Sequence, residues 1–151
     1  MGRRSPENTS RTRPCLVILV DTSAWVEFLR KTGHPVDKKL TGLIGKDADL
    51  AVTEIVIMEL LAGARDMHHL QSLRSKLLSY PVLILQGLAD YEEAAMIYRA
   101  CRQEGETIKA IADCLIAVPA LREGARVLHN DSDFDVISRH AGLKIEPITS
   151  R

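Results

Sequence analysis

Short apolar segments with β-strand character alternate with helical segments along almost the whole chain. The predicted strands are Leu16–Val20, Leu50–Val52, Val82–Leu85, Arg126–His129 and Leu143–Glu146. The predicted helices are Thr22–Lys31, Pro35–Lys46, Thr53–Arg65, His68–Ser79, Leu88–Glu104, Lys109–Glu123 and Ser132–Ala141. This alternation builds βαβ units, in which successive strands run parallel and helices cover the sheet. We therefore predict a three-layer α/β fold, with a central, mostly parallel sheet of about five strands and helices on both faces.

The first fourteen residues differ in composition from the rest of the chain. They are polar and contain four arginines and one glutamate, so we expect residues 1–14 to form a disordered basic arm before one domain over residues 15–151. The whole chain has zero formal net charge, which leaves sixteen basic and nineteen acidic side chains in that domain. A domain with this balance is not a general nucleic-acid-binding surface. If it acts on RNA or DNA, divalent cations or the basic arm must offset its acids.

The chain has no feature of a membrane or secreted protein. No apolar run approaches the ~20 residues that span a bilayer, and the polar start is unlike a signal peptide. The three cysteines, Cys15, Cys101 and Cys114, are odd in number and have no CxxC spacing, which suits a reducing compartment. We expect a cytoplasmic protein that does not associate with membranes.

Two of the predicted strands run directly into aspartates. Leu16–Val20 is followed by Asp21, Thr22 and Ser23, and Arg126–His129 precedes Asp131 and Asp133. Each of these residues is also a good helix N-cap or first-turn residue, so a structural role is one interpretation. The other is chemical, because the carboxyl ends of parallel strands border the crevice where α/β proteins bind ligands.

Two further acids lie in apolar helical segments. Glu59 is flanked by Met58 and Leu60 in "TEIVIMELLAG", and a helix of this composition is expected to be largely buried. Asp113 lies in "IKAIADCLIAVPAL", where an aspartate in a helix interior is unfavourable. Each acid alone could be a satisfied structural carboxylate. A buried carboxylate nevertheless needs a cation, hydrogen bonds or a metal.

Taken together, the strand-end acids and the acids in apolar helices favour a shared metal site. Clustered carboxylates repel one another, and hard divalent cations such as Mg²⁺ or Mn²⁺ neutralise that repulsion through oxygen ligands. A site of this kind suits phosphodiester hydrolysis, because one metal ion activates water and a second stabilises the leaving oxygen.

Four segments of the chain, taken in order, resemble the PIN-domain ribonucleases, and specifically the VapC-type toxins of prokaryotic toxin–antitoxin pairs. They are "ILVDTSAWVEFLR", "TEIVIMELLAGA", "ETIKAIADCLIA" and "ARVLHNDSDFDVIS". The resemblance implies a PIN-like fold and a metal-dependent endoribonuclease that cleaves cellular RNA, such as tRNA or rRNA, and so inhibits translation. It also implies a homodimer and a VapB-like antitoxin that neutralises the activity.

The same resemblance assigns roles to individual residues. It implies that Asp21, Glu59, Asp113 and Asp131 hold Mg²⁺ or Mn²⁺ and that Asp133 joins them in catalysis. Thr22 or Ser23 would support Asp21, although both hydroxyls are equally consistent with helix capping. The alternative is a non-catalytic PIN-type module that only binds RNA or protein.

Three positions depart from the family pattern, and one of them is Ala112, where close relatives often carry a polar residue. Pro119 follows Asp113 by six residues, and proline inside a helix is expected to kink or end it. His129 stands where many members carry threonine or serine, and we expect a structural role at the end of its strand.

Overall fold

A parallel sheet of five strands forms the centre of the computed structural model, which describes residues 17–149. The predicted arm at residues 1–14 therefore lies outside the described residues. The strands are β1 (Ile18–Val20), β2 (Leu50–Thr53), β3 (Val82–Leu83), β4 (Arg126–Leu128) and β5 (Lys144–Ile145). Their spatial order is β3-β2-β1-β4-β5, and every neighbouring pair is parallel. The predicted sheet is confirmed, with β1 at its middle.

Seven helices connect these strands. They are α1 (Thr22–Arg30), α2 (Pro35–Gly45), α3 (Glu54–Ala62), α4 (Met67–Leu77), α5 (Leu88–Gln103), α6 (Ile111–Glu123) and α7 (Ser132–Ala141). The first four lie in connections that step from β1 towards β3, and the last three lie in connections that run back towards β5. Right-handed crossovers in opposite directions place the two groups on opposite faces of the sheet. No helix within residues 17–149 has both the length and the apolar composition to cross a membrane.

The core explains why the strands are continuously apolar rather than alternating. Leu19, Val20 and Val52 are fully buried because helices cover both faces of the sheet. Trp25 and Phe134 are the largest fully buried side chains, and they lie on α1 and α7, the helices that follow β1 and β4. The packing thus fixes the two strand ends at which the predicted acids stand.

Of the two outcomes expected at Pro119, a kink or an end of the helix, the second is contradicted, because α6 continues through this residue to Glu123. Pro119 is buried between the fully buried Val118 and Ala120. Proline in a helix interior costs about 3 kcal/mol, since it removes one hydrogen bond and crowds the preceding turn. The packing of α6 against α5 and α7 offsets that cost.

Candidate metal centre

Asp21 performs two tasks at the carboxyl end of β1. It is the N-cap of α1, and its Oδ2 accepts hydrogen bonds from the Ser23 amide at 2.9 Å and the Ser23 hydroxyl at 2.6 Å. Its Oδ1 is buried and has no hydrogen-bond partner within residues 17–149. The cap and site interpretations are therefore compatible in one side chain, with one oxygen serving the helix and the other remaining free.

The two hydroxyl residues after Asp21 do not cap the helix, as one interpretation proposed, because they are its first two residues. Ser23 Oγ donates to Asp21 and also accepts a hydrogen bond from the Asn130 amide at 2.8 Å, so it links the ends of β1 and β4. The Thr22 hydroxyl is buried and has no hydrogen-bond partner in the described part of the chain. Ser23 thus orients Asp21.

Asp113 lies in the first turn of α6, because that helix begins at Ile111 rather than at Lys109. The expectation of an aspartate in a helix interior is therefore wrong, and the helix dipole favours a negative charge at this position. The side chain is buried all the same, with 7% of the residue exposed, and its Oδ2 has no hydrogen-bond partner among the residues the structure describes. Burial remains the main cost at this position.

Asp131 and Asp133 form the third part of the site, at the end of β4. Asp131 is the N-cap of α7, and its Oδ1 accepts a hydrogen bond from the Asp133 amide at 3.0 Å. Asp133 is buried, and its Oδ2 accepts hydrogen bonds from the amides of Lys109 and Ala110 at 2.9 and 3.1 Å. Asp133 therefore fixes the start of α6, which carries Asp113.

These contacts bring three of the predicted acids together. One carboxylate oxygen from each of Asp113, Asp131 and Asp133 lies within 4.8 Å of the other two. Around an octahedral Mg²⁺ with bonds of about 2.1 Å, opposite ligands are about 4.2 Å apart. The all-oxygen donor set and the unpartnered buried oxygens of Asp21 and Asp113 also fit a hard divalent cation. The residues present therefore fit the predicted Mg²⁺ or Mn²⁺.

Glu59 is exposed, so the expectation that its helix is largely buried is wrong. Only Ile55, Val56 and Leu60 of α3 are buried, and Met58 is 62% exposed. Partial desolvation and the negative charge of Asp21 nevertheless raise the pKa of the Glu59 carboxyl. The charges of Glu59 and Asp21 therefore interact. Glu59 nevertheless lies outside the group of three acids whose oxygens are within 4.8 Å of one another.

Uncompensated negative charge is the main electrostatic feature of the crevice that these acids line. Burial, together with the charges of Asp21, Asp131 and Asp133, raises the pKa of Asp113 to about 8. Burial also raises the pKa of Asp21, although its bonds to Ser23 oppose the shift. Across residues 17–149, none of the five predicted site acids forms an ion pair with a lysine, arginine or histidine. Without metal, Asp113 and Asp21 therefore lose their protons at higher pH than ordinary aspartates.

A groove of about 470 Å³ begins beside this crevice, where Thr22 and Glu59 form part of its wall. Apolar side chains from α1, α3 and α4 contribute to the lining, together with two arginines and one histidine. The apolar residues are Val26, Leu29, Leu60 and Leu73, and the others are Arg30, Arg65 and His69. The groove therefore places cationic groups next to an anionic site.

Two contacts in the site were not predicted from the sequence, which gave His129 only a structural role at the end of its strand and gave the backbone before α6 no role. His129 is buried, and its Nδ1 accepts a hydrogen bond from the Asp131 amide at 3.1 Å. The amides of Lys109 and Ala110 hold Asp133 from 23 or more residues away. The unusual histidine was a usable signal for the first contact. Backbone amides leave no residue-type signal, so the second could not be found from the sequence.

Comparison with known proteins gives a consistent set of relatives. The family model described as "PIN domain" matches residues 18–140. Ribonuclease VapC11 of Mycobacterium tuberculosis is 43% identical over 129 residues, which are 85% of this chain and 96% of that protein. A VapC ribonuclease of Mycobacterium bovis matches to the same extent.

Solved structures share the fold at lower sequence identity. VapBC2 from Rickettsia felis, bound to a DNA fragment from its promoter, matches with a TM-score of 0.67 and 23% identity over 87% of this chain and 98% of that chain. DNA-bound VapBC from Salmonella typhimurium matches with a TM-score of 0.67 and 19% identity over 89% and 99%. At these identities the likeness concerns the fold alone.

Proposed function

Because the chain belongs to the PIN-domain family, among the VapC ribonucleases, we propose that it is a metal-dependent endoribonuclease toxin. It hydrolyses phosphodiester bonds of cellular RNA in the cytoplasm, inhibits translation and is neutralised by a VapB-like antitoxin. Structured RNA such as tRNA or rRNA is the proposed substrate. The relatives are named as ribonucleases, and the structural neighbours include toxin–antitoxin complexes.

One observation carries this proposal: a cluster of acids, most of them buried, that have no basic partner within residues 17–149. Asp113, Asp131 and Asp133 converge within 4.8 Å, and the free oxygens of Asp21 and Asp113 are buried without partners in the described residues. An arrangement of this kind is costly to a fold unless a cation completes it. The proposal assigns Mg²⁺ or Mn²⁺ to Asp21, Glu59, Asp113 and Asp131.

The chain's own residues would divide the work of the reaction. When bound, a divalent ion supplies the positive charge and Lewis acidity that phosphodiester hydrolysis needs. Asp113 in the first turn of α6 and Asp131 at the start of α7 would hold the ion together with Asp21 and Glu59. Asp133 keeps the start of α6 in place through the amides of Lys109 and Ala110. Ser23 orients Asp21.

The groove supports both an RNA path and an antitoxin site. Arg30 and Arg65 can contact phosphates that flank the scissile bond, since arginine is well suited to phosphate oxygens. The apolar lining of the same groove suits the apolar face of a helical antitoxin segment. An antitoxin bound there would exclude RNA from the site, which accounts for neutralisation.

The proposal includes a homodimer. Several large apolar side chains are exposed in the single chain, including Met58 on α3, Leu88 and Met96 on α5, and Ile111 on α6. Exposed apolar side chains of this size are candidates for protein–protein contact. Light scattering of the purified protein would show a mass near twice 16.7 kDa.

The direct test is cleavage of labelled tRNA and rRNA fragments by the purified chain with Mg²⁺ or Mn²⁺. We expect cleavage that leaves 5′-phosphate ends and that EDTA or Asp131→Asn abolishes. Asp49→Asn, at the opposite end of the sheet, is the matched control and should cleave normally. Activity without metal, or full activity of Asp131→Asn, would contradict the proposal. RNA binding without cleavage under every metal condition would favour the non-catalytic binding module.

A further inference from the structure

His129 links the end of β4 to the first turn of α7. Its ring is buried, with 6% of the residue exposed, and packs against Phe134 with ring centroids 5.2 Å apart. Its Nδ1 accepts the amide proton of Asp131, and its Nε2 lies 3.4 Å from Asp135 Oδ1. The imidazole thus joins two acids on either side of it, one in the proposed metal site and one on the protein surface.

The hydrogen bond from Asp131 determines which ring nitrogen carries the proton. An amide N–H can only donate, so Nδ1 must be the bare acceptor and the hydrogen of the neutral ring must be on Nε2. That hydrogen faces the Asp135 carboxylate. Asp135 and Phe134 therefore hold the ring with its acceptor directed at the Asp131 backbone.

Two consecutive amides in this turn are held by side chains. The Asn130 amide donates to Ser23 Oγ, and the next amide, that of Asp131, donates to His129 Nδ1. Ser23 in turn donates to Asp21. The backbone that carries Asp131 is consequently fixed on both sides, and one of these bonds connects it to the acid at the end of β1.

We propose that His129 is a positioning residue that orients Asp131 towards the divalent metal through the bond from the Asp131 amide to its Nδ1. The inference rests on the proposed metal site. A side chain of this kind touches neither metal nor substrate, but groups that orient metal ligands typically contribute about 10–100-fold to metal affinity or activity. If His129 merely filled space, any side chain of similar volume would serve equally well.

The test separates the effect of the hydrogen-bond acceptor of His129 from the effect of its side-chain volume. His129→Leu fills much of the space without an acceptor, whereas His129→Asn is smaller but retains an oxygen that can accept from the amide two residues ahead. We expect Mn²⁺ affinity, measured by isothermal titration calorimetry, to fall about 10–100-fold in His129→Leu and to stay within about threefold in His129→Asn. His140→Leu is the matched control, because His140 pairs with Glu106 at the other end of α7.

Two readouts on the metal-free protein keep the result interpretable. Hydrogen exchange of the Asp131 amide should accelerate in His129→Leu but not in His129→Asn, and NMR of the ring should show hydrogen on Nε2. Should His129→Leu fail to fold, Asp135→Ala, which removes the acceptor that faces Nε2, provides the second variant, with a smaller loss of affinity expected. Equal Mn²⁺ affinity in the wild type and His129→Leu, or a greater loss in His129→Asn, would overturn the role of His129 alone. A wild type that binds no Mn²⁺ would overturn the proposed metal function as well.

Discussion

A buried aspartate lies at each end of α6, and the two differ in their hydrogen-bond partners and in the direction of their pKa shifts. At the carboxyl end, Asp90 is 4% exposed and accepts hydrogen bonds from Arg122 and from the Gln86 amide. These bonds lower the pKa of Asp90. At the amino end, Asp113 is 7% exposed, has no cationic partner in the described residues, and has its pKa raised to about 8 by burial and neighbouring acids.

The difference shows that the fold can satisfy a buried carboxylate and does not do so at the crevice. Arg122 secures the start of α5, and an analogous arginine near Asp113 would have removed the repulsion there. Natural proteins retain such local costs mainly at functional sites. We infer that Asp90 stabilises the fold, whereas Asp113 serves the proposed metal site.

Substituting each aspartate by asparagine should give the largest contrast, and it should appear in activity. Asp113→Asn removes a proposed metal ligand, so we expect RNA cleavage to fall by at least about 10²–10³-fold. Asp90→Asn leaves the crevice unchanged and should retain wild-type cleavage below its melting temperature. Initial rates on one labelled RNA would measure both. Comparable losses in the two variants would remove the distinction between the two ends of α6.

The pH dependence of metal binding should be the next largest effect. Metal binding requires ionised Asp113, so the proton held up to about pH 8 must leave as the metal enters. Mn²⁺ affinity should therefore increase by about tenfold per pH unit up to pH 8 and then level off. Calorimetry in buffers of different ionisation enthalpy would count the released protons. Affinity that does not change between pH 6 and 8 would contradict the raised pKa.

In the metal-free protein, Asp113 and Asp90 should contribute opposite pH dependences to the free energy of unfolding. Because the folded pKa of Asp113 is raised, the unfolded chain loses this proton first, and stability falls as pH rises from about 4 to about 8. Asp113→Asn should accordingly raise the free energy of unfolding by about 1–3 kcal/mol at pH 8. The lowered pKa of Asp90 has the reverse sign, so its contribution is lost on acidification and Asp90→Asn should destabilise the protein at pH 8. Urea unfolding in EDTA at pH 5 and pH 8 would measure both differences.

The smallest expected effect concerns Ser23, which orients Asp21 without belonging to the group of acids. Ser23→Ala removes the donor to Asp21 Oδ2 and the acceptor for the Asn130 amide, so Mn²⁺ affinity should weaken by about tenfold. Ser23→Thr keeps the hydroxyl and should recover most of it. An alanine variant with unchanged affinity would place Ser23 outside the support of the site.

Much of the architecture could be predicted from the sequence, because alternating strand and helix patterns are a local signal. All five strands and seven helices were expected, whereas the order of the strands in the sheet was not predicted. Helix ends were less accessible: α6 begins two residues after its predicted start, which moves Asp113 from the helix interior to the first turn. Pro119 does not end its helix, because tertiary packing keeps α6 continuous.

The residues of the proposed site were predicted as a set but not as an arrangement. The positions of Asp21 and Asp131 after two strands indicated that both lie at one edge of the sheet, where the structure places them. The exposure of Glu59 was not predictable, because composition does not reveal which face of α3 is covered. The bonds from the Lys109 and Ala110 amides to Asp133 were not predictable either, because they join segments that are far apart in the sequence.

Thermal melting of the wild type and Asp113→Asn, each with EDTA and with saturating Mn²⁺ at pH 8, tests the central claim most directly. Without metal, Asp113→Asn should melt at the higher temperature, because it lacks the buried charge. With Mn²⁺ at about 100 times its dissociation constant, the wild type should gain about 5–10 °C and overtake the variant, which should gain little. A metal-free wild type that is more stable than Asp113→Asn, together with no response to Mn²⁺, would show that Asp113 serves the fold and not a metal.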